Sequence, residues 1–348
     1  MPYDLDKFSE NIRSDVNDNI LKTLDRYTGI LYNDAIRCNS SLKYLKIGED
    51  KMAKVGFIGL GIMGKPMAFN LLKAGVDLMV NDINGTAVAE IVGAGAVSGT
   101  YEEIGKACDV IIMILPNGDI SKSVLFDKEG LAKALRKGAV VCDMSSVTPV
   151  ESKACAEGLN PFGVSFMDAP VSGGEPGAIA GSLAIMCGGS QATFDAMKPY
   201  FDIMGNSAIL IGDIGSGSVT KLVNQCIVNN TIAVVSEAFV LGTKAGADPV
   251  KVYEAIRGGL AGSAVLDAKI PMIVDRNFKP GGKISINHKD IKNVVNTAHA
   301  LDVPVPYSAQ LYEILQTLKV HGHMDDDHGG IVQYFEKLAD VEVKKVTD

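Results

Sequence analysis

The stretch "GFIGLGIMGKPMAFNLL", from Gly56 to Leu72, decides the fold of this chain. Its three glycines, Gly59, Gly61 and Gly64, follow the apolar run "KVGFIG" and precede apolar residues at helical spacing. A second apolar run, "VDLMVND", comes next. Strand, glycine-rich turn, helix and strand in this order are typical of the first half of a dinucleotide-binding unit.

The three glycines have separate physical roles in such a unit. Gly59 permits the tight turn, Gly61 lets the backbone approach a pyrophosphate, and Gly64 lets the helix pack close to the strand. The helix N-terminus offers unpaired N–H groups and a partial positive charge to the phosphates. A glycine turn without a ligand is the alternative, since such turns are common. In this context we predict that the cofactor is bound by Gly59, Leu60, Gly61, Ile62, Met63 and Gly64.

Asp82 ends the second predicted strand, about 20 residues after the glycines, where an acidic side chain binds the adenosine ribose hydroxyls. The alternative is that Asp82 begins a turn in "NDING", where aspartate is common. A carboxylate here would repel a 2′-phosphate, and Ile83 stands where an arginine would be needed to hold one. Asp82 and Ile83 therefore predict NAD, with NADP disfavoured.

The composition limits the possible function classes. The chain has 348 residues, 47% of them hydrophobic and 21% charged, which predicts a soluble globular protein of two domains. The formal net charge of -8 argues against binding to nucleic acid. No uninterrupted apolar run approaches the ~18 residues that cross a bilayer. The six cysteines contain no CxxC pair, so we expect neither disulfides nor zinc, and we expect a cytoplasmic location.

Beyond the glycine stretch, five blocks of sequence resemble the β-hydroxyacid dehydrogenase family, and they occur in the family's order. They are "MILPNG" at Met113–Gly118, "VCDMSSVTP" at Val141–Pro149, "DAPVSGG" at Asp168–Gly174, "GSGSVTKLVNQ" at Gly215–Gln225 and "HKDIKN" at His288–Asn293. The similarity covers residues 52–340. The family includes 3-hydroxyisobutyrate dehydrogenase, tartronate semialdehyde reductase and 2-(hydroxymethyl)glutarate dehydrogenase. The resemblance implies an NAD-dependent oxidoreductase that interconverts a β- or γ-hydroxy carboxylate and its semialdehyde.

The block at Gly215–Gln225 opens a long predicted helix on which Lys221, Asn224 and Gln225 share one face. A lysine on a helix is usually a solvated surface residue, which is the alternative here. The resemblance implies instead that Lys221 is the general acid and base, and that Asn224 and Gln225 contact the substrate. Partial burial would lower the pKa of Lys221 toward neutrality, as a base requires.

The block "DAPVSGG" follows a predicted strand, and Ser172 with the N–H groups of Gly173 and Gly174 can form a small anion-binding concavity. An ordinary glycine turn is the alternative, but the resemblance implies that this loop binds the substrate carboxylate. The resemblance further implies that Leu115 and Pro116 contact the cofactor ribose, that Ser146 lies by the nicotinamide, and that Lys289 contacts the cofactor from the second domain.

Two segments invite other interpretations. The segment "HGHMDDDHGG", which begins at His321, holds three histidines and three aspartates, but their spacing matches no standard metal site. We expect no metal there, and we predict that Asp327 is a helix N-cap.

In "LAGSAVLDAK", Ala264 replaces an aromatic residue of some relatives, which would enlarge the pocket toward a dicarboxylate.

We predict an α/β protein in which a Rossmann-type doubly wound sheet, residues 52–214, precedes an all-helical substrate and oligomerisation domain, residues 215–348. The long apolar helix needs a cover of other helices or a second subunit, so we expect a homo-oligomer, a dimer or a tetramer. Residues 1–51 lie outside the resemblance. They are either a helical arm, with a helix near Leu5 to Tyr27, or an artefact upstream of a true start at Met52.

Three other functions are consistent with the same fold. An NADPH-dependent reductase of short semialdehydes is disfavoured by Asp82 and Ile83. An imine reductase is disfavoured because Lys221 is retained. A non-catalytic NAD-binding regulator would not need Ser172, Lys221 and Asn224 together.

Overall fold

A mostly parallel β-sheet forms the first half of the described chain, which covers residues 53–346 of this computed structural model. Its strands are β1 Val55–Ile58, β2 Leu78–Asn81, β3 Val97–Ser98, β4 Val110–Met113, β5 Val140–Asp143, β6 Ser165–Asp168, β7 Val171–Ser172, β8 Leu183–Gly188 and β9 Gly205–Gly212. Their order in the sheet is β3-β2-β1-β4-β5-β6-β8-β7, and β9 also pairs with β8. Strands β1 to β6 run parallel, whereas β8 is antiparallel to both β6 and β7.

Helices connect the strands and cover the sheet. They are α1 Gly64–Lys73, α2 Gly85–Gly93, α3 Tyr101–Ala107, α4 Gly118–Phe126, α5 Pro149–Leu159, α6 Gly174–Ala180 and α7 Gln191–Met204. The central strands β1 and β4, "VGFI" and "VIIM", are buried at every residue, as expected for strands covered on both faces. The helix starts are also specified locally, since Thr148 and Glu151 form a capping box at α5 and Pro149 occupies its first turn.

The second half of the described chain is helical. It contains α8 Ser216–Lys244, α9 Pro249–Ile256, α10 Ala264–Val274, α11 Ile284–Ala300, α12 Pro306–Val320 and α13 Val332–Ala339. A buried apolar cluster joins α8, α11 and α12 through residues such as Ile232, Ile291 and Leu315. The fold class predicted from the sequence is confirmed, with antiparallel pairing at one edge of the sheet as an addition.

Helix α8 extends over 29 residues and contacts both halves. Its first turns pack against β8 and β9, and its later turns pack against α10, α11 and α13. By length and composition alone, α8 is long and apolar enough to cross a membrane, and 39% of its apolar window is buried inside the protein. Helix α8 therefore belongs to the packing of both the sheet and the helical half.

The alternatives for the N-terminal extension, a helical arm or a start at Met52, concern residues that lie outside the described part of the chain.

Candidate active site

The glycine-rich turn between β1 and α1 is built by two of its three glycines. Gly59 has a φ of +100°, and a Cβ there would lie 2.2 Å from the Ile114 carbonyl oxygen. A Cβ on Gly64 would lie 1.9 Å from the Gly59 carbonyl oxygen. At Gly61, by contrast, a Cβ would meet no atom of residues 53–346 within 4 Å. The turn itself therefore requires Gly59 and Gly64, whereas Gly61 leaves an open, exposed backbone surface that a bound group can approach.

Asp82 follows β2 and bonds to this turn. Its Oδ2 accepts a short hydrogen bond from the Leu60 N–H, and its Oδ1 accepts one of 2.6 Å from the Asn84 N–H. The carboxylate thus closes the local turn, which was the alternative interpretation, and also reaches the glycine-rich turn. The next residue, Ile83, has a fully exposed side chain.

The carboxyl ends of β4 and β5 meet beside the same turn. The Leu115 N–H, just before Pro116, donates 2.7 Å to the Ser145 hydroxyl, and the Ser145 N–H donates 3.0 Å to Asp143 Oδ1. Asp143 and Ser145 are both buried. This pair was not predicted from the sequence, although two polar residues at the end of an apolar strand were a usable signal.

Lys221 lies in the second turn of α8, and only 8% of its surface is exposed. Its Nζ donates a 2.8 Å hydrogen bond to the Val171 carbonyl oxygen. Burial lowers the pKa of Lys221 below that of an ordinary lysine; the charge of Asp290 opposes this change and that of Lys289 adds to it. The lysine therefore has the buried environment that a general acid and base requires.

Ser172 and Asn224 lie next to this lysine. The Ser172 hydroxyl donates to Asn224 Oδ1 over 3.3 Å, and Asn224 Nδ2 donates to Gln225 Oε1 over 2.9 Å. Gly173 and Gly174 have φ values of +139° and +62°, a left-handed conformation that favours glycine. The structure brings this predicted loop and the predicted face of α8 together.

A buried carboxylate that was not predicted from the sequence, Asp290, connects the two halves. Its Oδ1 accepts 3.0 Å from the Ser146 hydroxyl, and its Oδ2 accepts a short bond from Gln225 Nε2. Lys289 Nζ donates 2.6 Å to the Ser146 carbonyl oxygen and lies 3.0 Å from Asp290 Oδ1. Asp290 immediately follows Lys289 in "HKDIKN", but nothing local indicated that it would be buried against α8.

In the histidine-rich segment that begins at His321, Asp327 bonds to other parts of the protein. Asp327 is buried, caps a short helical turn through the Gly329 N–H at 2.9 Å, and pairs with Lys269 at 2.8 Å, which confirms the predicted N-cap. Burial and the nearby Lys269 lower the pKa of His328 to about 4. Across residues 53–346, no group of three or more His, Cys, Asp or Glu side chains is arranged to hold a metal ion. Ala264 is the first residue of α10 and is exposed.

Comparisons with known proteins give matches over nearly the whole described chain. The family model described as the NAD binding domain of 6-phosphogluconate dehydrogenase matches residues 54–212. The family model described as NAD-binding of NADP-dependent 3-hydroxyisobutyrate dehydrogenase matches residues 215–335. The chain is 42% identical over 287 residues to 2-hydroxy-3-oxopropionate reductase of Escherichia coli, spanning 82% of this chain and 98% of that protein. It is 35% identical over 296 residues to 2-(hydroxymethyl)glutarate dehydrogenase of Eubacterium barkeri, spanning 84% and 98% of the two chains.

A solved structure agrees with the sequence comparisons. The crystal structure of 3-hydroxyisobutyrate dehydrogenase (ygbJ) from Salmonella typhimurium superposes with a TM-score of 0.74 at 28% identity, covering 80% of this chain and 99% of that one.

Proposed function

Because this chain belongs to the β-hydroxyacid dehydrogenase family and is an NAD(P)-dependent oxidoreductase of hydroxyacids and their semialdehydes, we propose that it uses NAD and that Lys221 moves the proton. The substrate we propose is a β- or γ-hydroxy carboxylate, of the 3-hydroxyisobutyrate, tartronate or 2-(hydroxymethyl)glutarate type. The observation that carries the proposal is the buried Lys221, with a lowered pKa, beside Ser172 and Asn224.

Lys221 supplies the acid and base chemistry in this proposal. In reduction, its ammonium gives a proton to the aldehyde oxygen, so that the new hydroxyl is neutral and Lys221 becomes an amine. In oxidation, the amine takes the hydroxyl proton. The Val171 carbonyl oxygen, 2.8 Å from Nζ, fixes the direction of the ammonium before the substrate binds. The hydride that reaches the aldehyde carbon, or leaves the alcohol carbon in oxidation, would be exchanged with a bound nicotinamide.

The substrate carboxylate binds at the loop after β7 in this proposal. The Ser172 hydroxyl and the Gly173 and Gly174 N–H groups donate to it, and Asn224 and Gln225 hold its other side. The hydrogen bond from Ser172 to Asn224 supports this assignment, since the two side chains face the same space. Ala264 leaves more room than an aromatic side chain would, which favours a dicarboxylate; turnover confined to three- and four-carbon substrates would contradict this.

The residues around the glycine-rich turn fit a dinucleotide. Gly61 leaves open the surface that a pyrophosphate needs, and a Cβ would fill part of it. We assign the pyrophosphate and its surroundings to the turn and the adenosine ribose to Asp82. Leu115 and Pro116 contact a cofactor ribose in this proposal, and Ser146 and Lys289 contact the nicotinamide end. The turn consists of Gly59, Leu60, Gly61, Ile62, Met63 and Gly64.

NAD is the cofactor we propose, over NADP, because the Asp82 carboxylate already lies against the turn and would repel a 2′-phosphate. The exposed Ile83 offers no positive charge to counter it.

The first experiment measures NADH and NADPH oxidation with methylmalonate, tartronate and succinate semialdehydes and 2-formylglutarate. Lys221→Ala is expected to lose the activity, whereas Lys244→Ala, an exposed lysine at the far end of the same helix, keeps it. Equal activity of Lys221→Ala and the unmodified enzyme would refute the role of Lys221. Faster turnover with NADPH would refute the cofactor assignment. NADH binding without turnover of any aldehyde would favour a nucleotide-binding regulator.

We also propose a homo-oligomer, a dimer or a tetramer, located in the cytoplasm. One face of α8 remains exposed after α10, α11 and α13 have packed on it. The apolar residues on this face are 46% to 71% exposed and are Val219, Val223, Ile227, Val234 and Leu241. Light scattering should show that Ile227→Glu lowers the assembly mass, while Val150→Glu, an exposed valine on α5, does not. An unchanged mass for Ile227→Glu would contradict this interface.

We propose that residues 52–214 form the domain that binds the nucleotide. Residues 215–348 form the domain that binds the substrate and contacts the other subunits. The two family matches, which end at residue 212 and begin at residue 215, support this division.

A further inference from the structure

We propose that Asp168 is a positioning residue that sets the direction of Lys221, an inference that rests on the proposed function of that lysine. Asp168 is the last residue of β6 and is almost completely buried, with 1% of its surface exposed. It is the first residue of "DAPVSGG", and its carboxylate does not contact the substrate or the cofactor in the proposed mechanism.

Both carboxylate oxygens of Asp168 hold the first turn of α8. Oδ1 accepts a 2.7 Å hydrogen bond from the Gly215 N–H, and Oδ2 accepts a 2.7 Å bond from the Ser218 N–H. These donors belong to the helix start, where N–H groups lack partners within the helix. A buried carboxylate at this end is also stabilised by the helix dipole. The start of α8 is therefore anchored to the end of β6 at two points.

Close packing leaves this anchor little freedom. A Cβ on Gly217, in the first turn, would lie 2.7 Å from the Asp168 carbonyl oxygen and 2.9 Å from its Oδ2. A Cβ on Gly188, in the neighbouring strand β8, would lie 2.6 Å from Asp168 Oδ1 and 2.8 Å from the Ser216 nitrogen. The Ser218 hydroxyl adds a 2.9 Å bond to Ser152 on α5. The helix start cannot shift without displacing the carboxylate.

The same segment of chain also holds the lysine. Val171, three residues after Asp168, supplies the carbonyl oxygen that accepts from Lys221 Nζ, and Lys221 is three residues after Ser218. The segment from Asp168 to Val171 is thus hydrogen-bonded to α8 at both of its ends. Asp168 bonds to the helix start and Val171 bonds to Lys221, so that the two segments form a closed ring. Since a displacement of about 1 Å at a reacting group can cost about 100-fold in rate, this ring is a sensitive part of the site.

The test compares the same substitution at two helix N-caps. Asp168→Asn loses one of the two acceptor oxygens, because an amide nitrogen then faces an N–H. Asp248→Asn is the matched control, since Asp248 Oδ1 alone accepts from the Val250 and Lys251 N–H groups, and asparagine keeps that oxygen. With the best aldehyde, we expect kcat of Asp168→Asn to fall about 100-fold. The KM for NADH should stay within about twofold of the unmodified enzyme's, since the glycine-rich turn is unaltered, and Asp248→Asn should be unchanged.

The pH profile distinguishes a displaced lysine from a smaller amount of folded enzyme. A Lys221 released from its ring becomes more hydrated, so the pKa seen in kcat/KM should rise toward that of an ordinary lysine. Gly188→Ala, which wedges a methyl group between the carboxylate and the helix start without changing any charge, should have the same effect. If Asp168→Asn does not fold, Gly188→Ala tests whether the contact between Asp168 and the helix start positions Lys221.

Two results would overturn the inference alone. One is a folded Asp168→Asn or Gly188→Ala with kcat within about twofold of the unmodified enzyme's. The other is a fall in kcat with an unchanged pH profile, since that indicates fewer active molecules. If the unmodified enzyme reduces no aldehyde of the panel, the proposed function fails first and the inference fails with it.

Discussion

Replacing Gly61 by alanine separates the two roles of a glycine-rich turn, its own folding and the binding of a phosphate. The new Cβ meets no atom of the described part of the chain within 4 Å, and the backbone at Gly61 is outside the left-handed region. The free energy of unfolding should therefore stay the same or rise by about 0.4–1 kcal/mol, since alanine restricts the unfolded chain. If a pyrophosphate lies against this backbone, the methyl group must displace it.

The expected loss of NADH affinity is at least about tenfold, which corresponds to about 1.4 kcal/mol. Gly64→Ala is the contrasting variant, because its Cβ would lie 1.9 Å from the Gly59 carbonyl oxygen and 2.8 Å from Ile114 Cγ2. Relief of this clash requires a shift of backbone, and we expect a loss of about 1–3 kcal/mol of stability as well as weaker binding.

The assay combines urea denaturation with calorimetric titration of NADH for the unmodified enzyme and both variants. Unchanged NADH affinity in Gly61→Ala would refute the assignment of the pyrophosphate to this turn. A loss of stability in Gly61→Ala as large as that in Gly64→Ala would refute the distinction between an open glycine and a packed one.

Three further predictions follow from buried polar groups. Burial lowers the pKa of Lys221 below the ordinary lysine value of 10.5. As pH rises through this lowered pKa, kcat/KM for reduction should fall and kcat/KM for oxidation should rise. Parallel pH profiles in the two directions would contradict this role of Lys221. His328 has a pKa of about 4 in the folded chain against 6.5 unfolded, so the unfolded state binds more protons between these values. About 3 kcal/mol of stability, present above pH 6.5, should be lost as pH falls to 4. Urea titrations across this range should show a weaker pH dependence in His328→Gln, and an equal dependence would exclude His328 as the cause. Neither polar side-chain atom of the buried Asn229 has a hydrogen-bond partner among residues 53–346, so Asn229→Leu should raise the free energy of unfolding by about 1 kcal/mol; a loss of that size would instead show that the amide has a partner.

Much of the fold was predictable because its signals are local. The apolar runs "KVGFIG" and "VDLMVND" became the strands β1 and β2, and the helix after the glycines begins at Gly64 and ends at Lys73. The long helix predicted from the block at Gly215–Gln225 became α8, Ser216–Lys244. Each of these elements is set by the residues within it and by the turn or cap at its ends.

The order of strands at the far edge was not predictable in the same way. Strands β7 and β8 run antiparallel beside a parallel sheet, and β7 has only two residues. A two-residue strand has no periodicity to read, and its pairing depends on which edge of the sheet is free.

The sequence by itself determined the glycine-rich turn, the acid that follows β2, the helix that carries Lys221, and the family to which the chain belongs. The tertiary structure decided which distant groups meet that lysine. Val171 is 50 residues before it, Asp290 lies 69 residues after it, and Asp168 holds the start of its helix. Glycine turns and helices depend on contacts within a few residues and so appear in the sequence pattern. The burial that lowers the pKa of Lys221, and the carboxylate that anchors its helix, arise only when strands and helices from separate parts of the chain pack together.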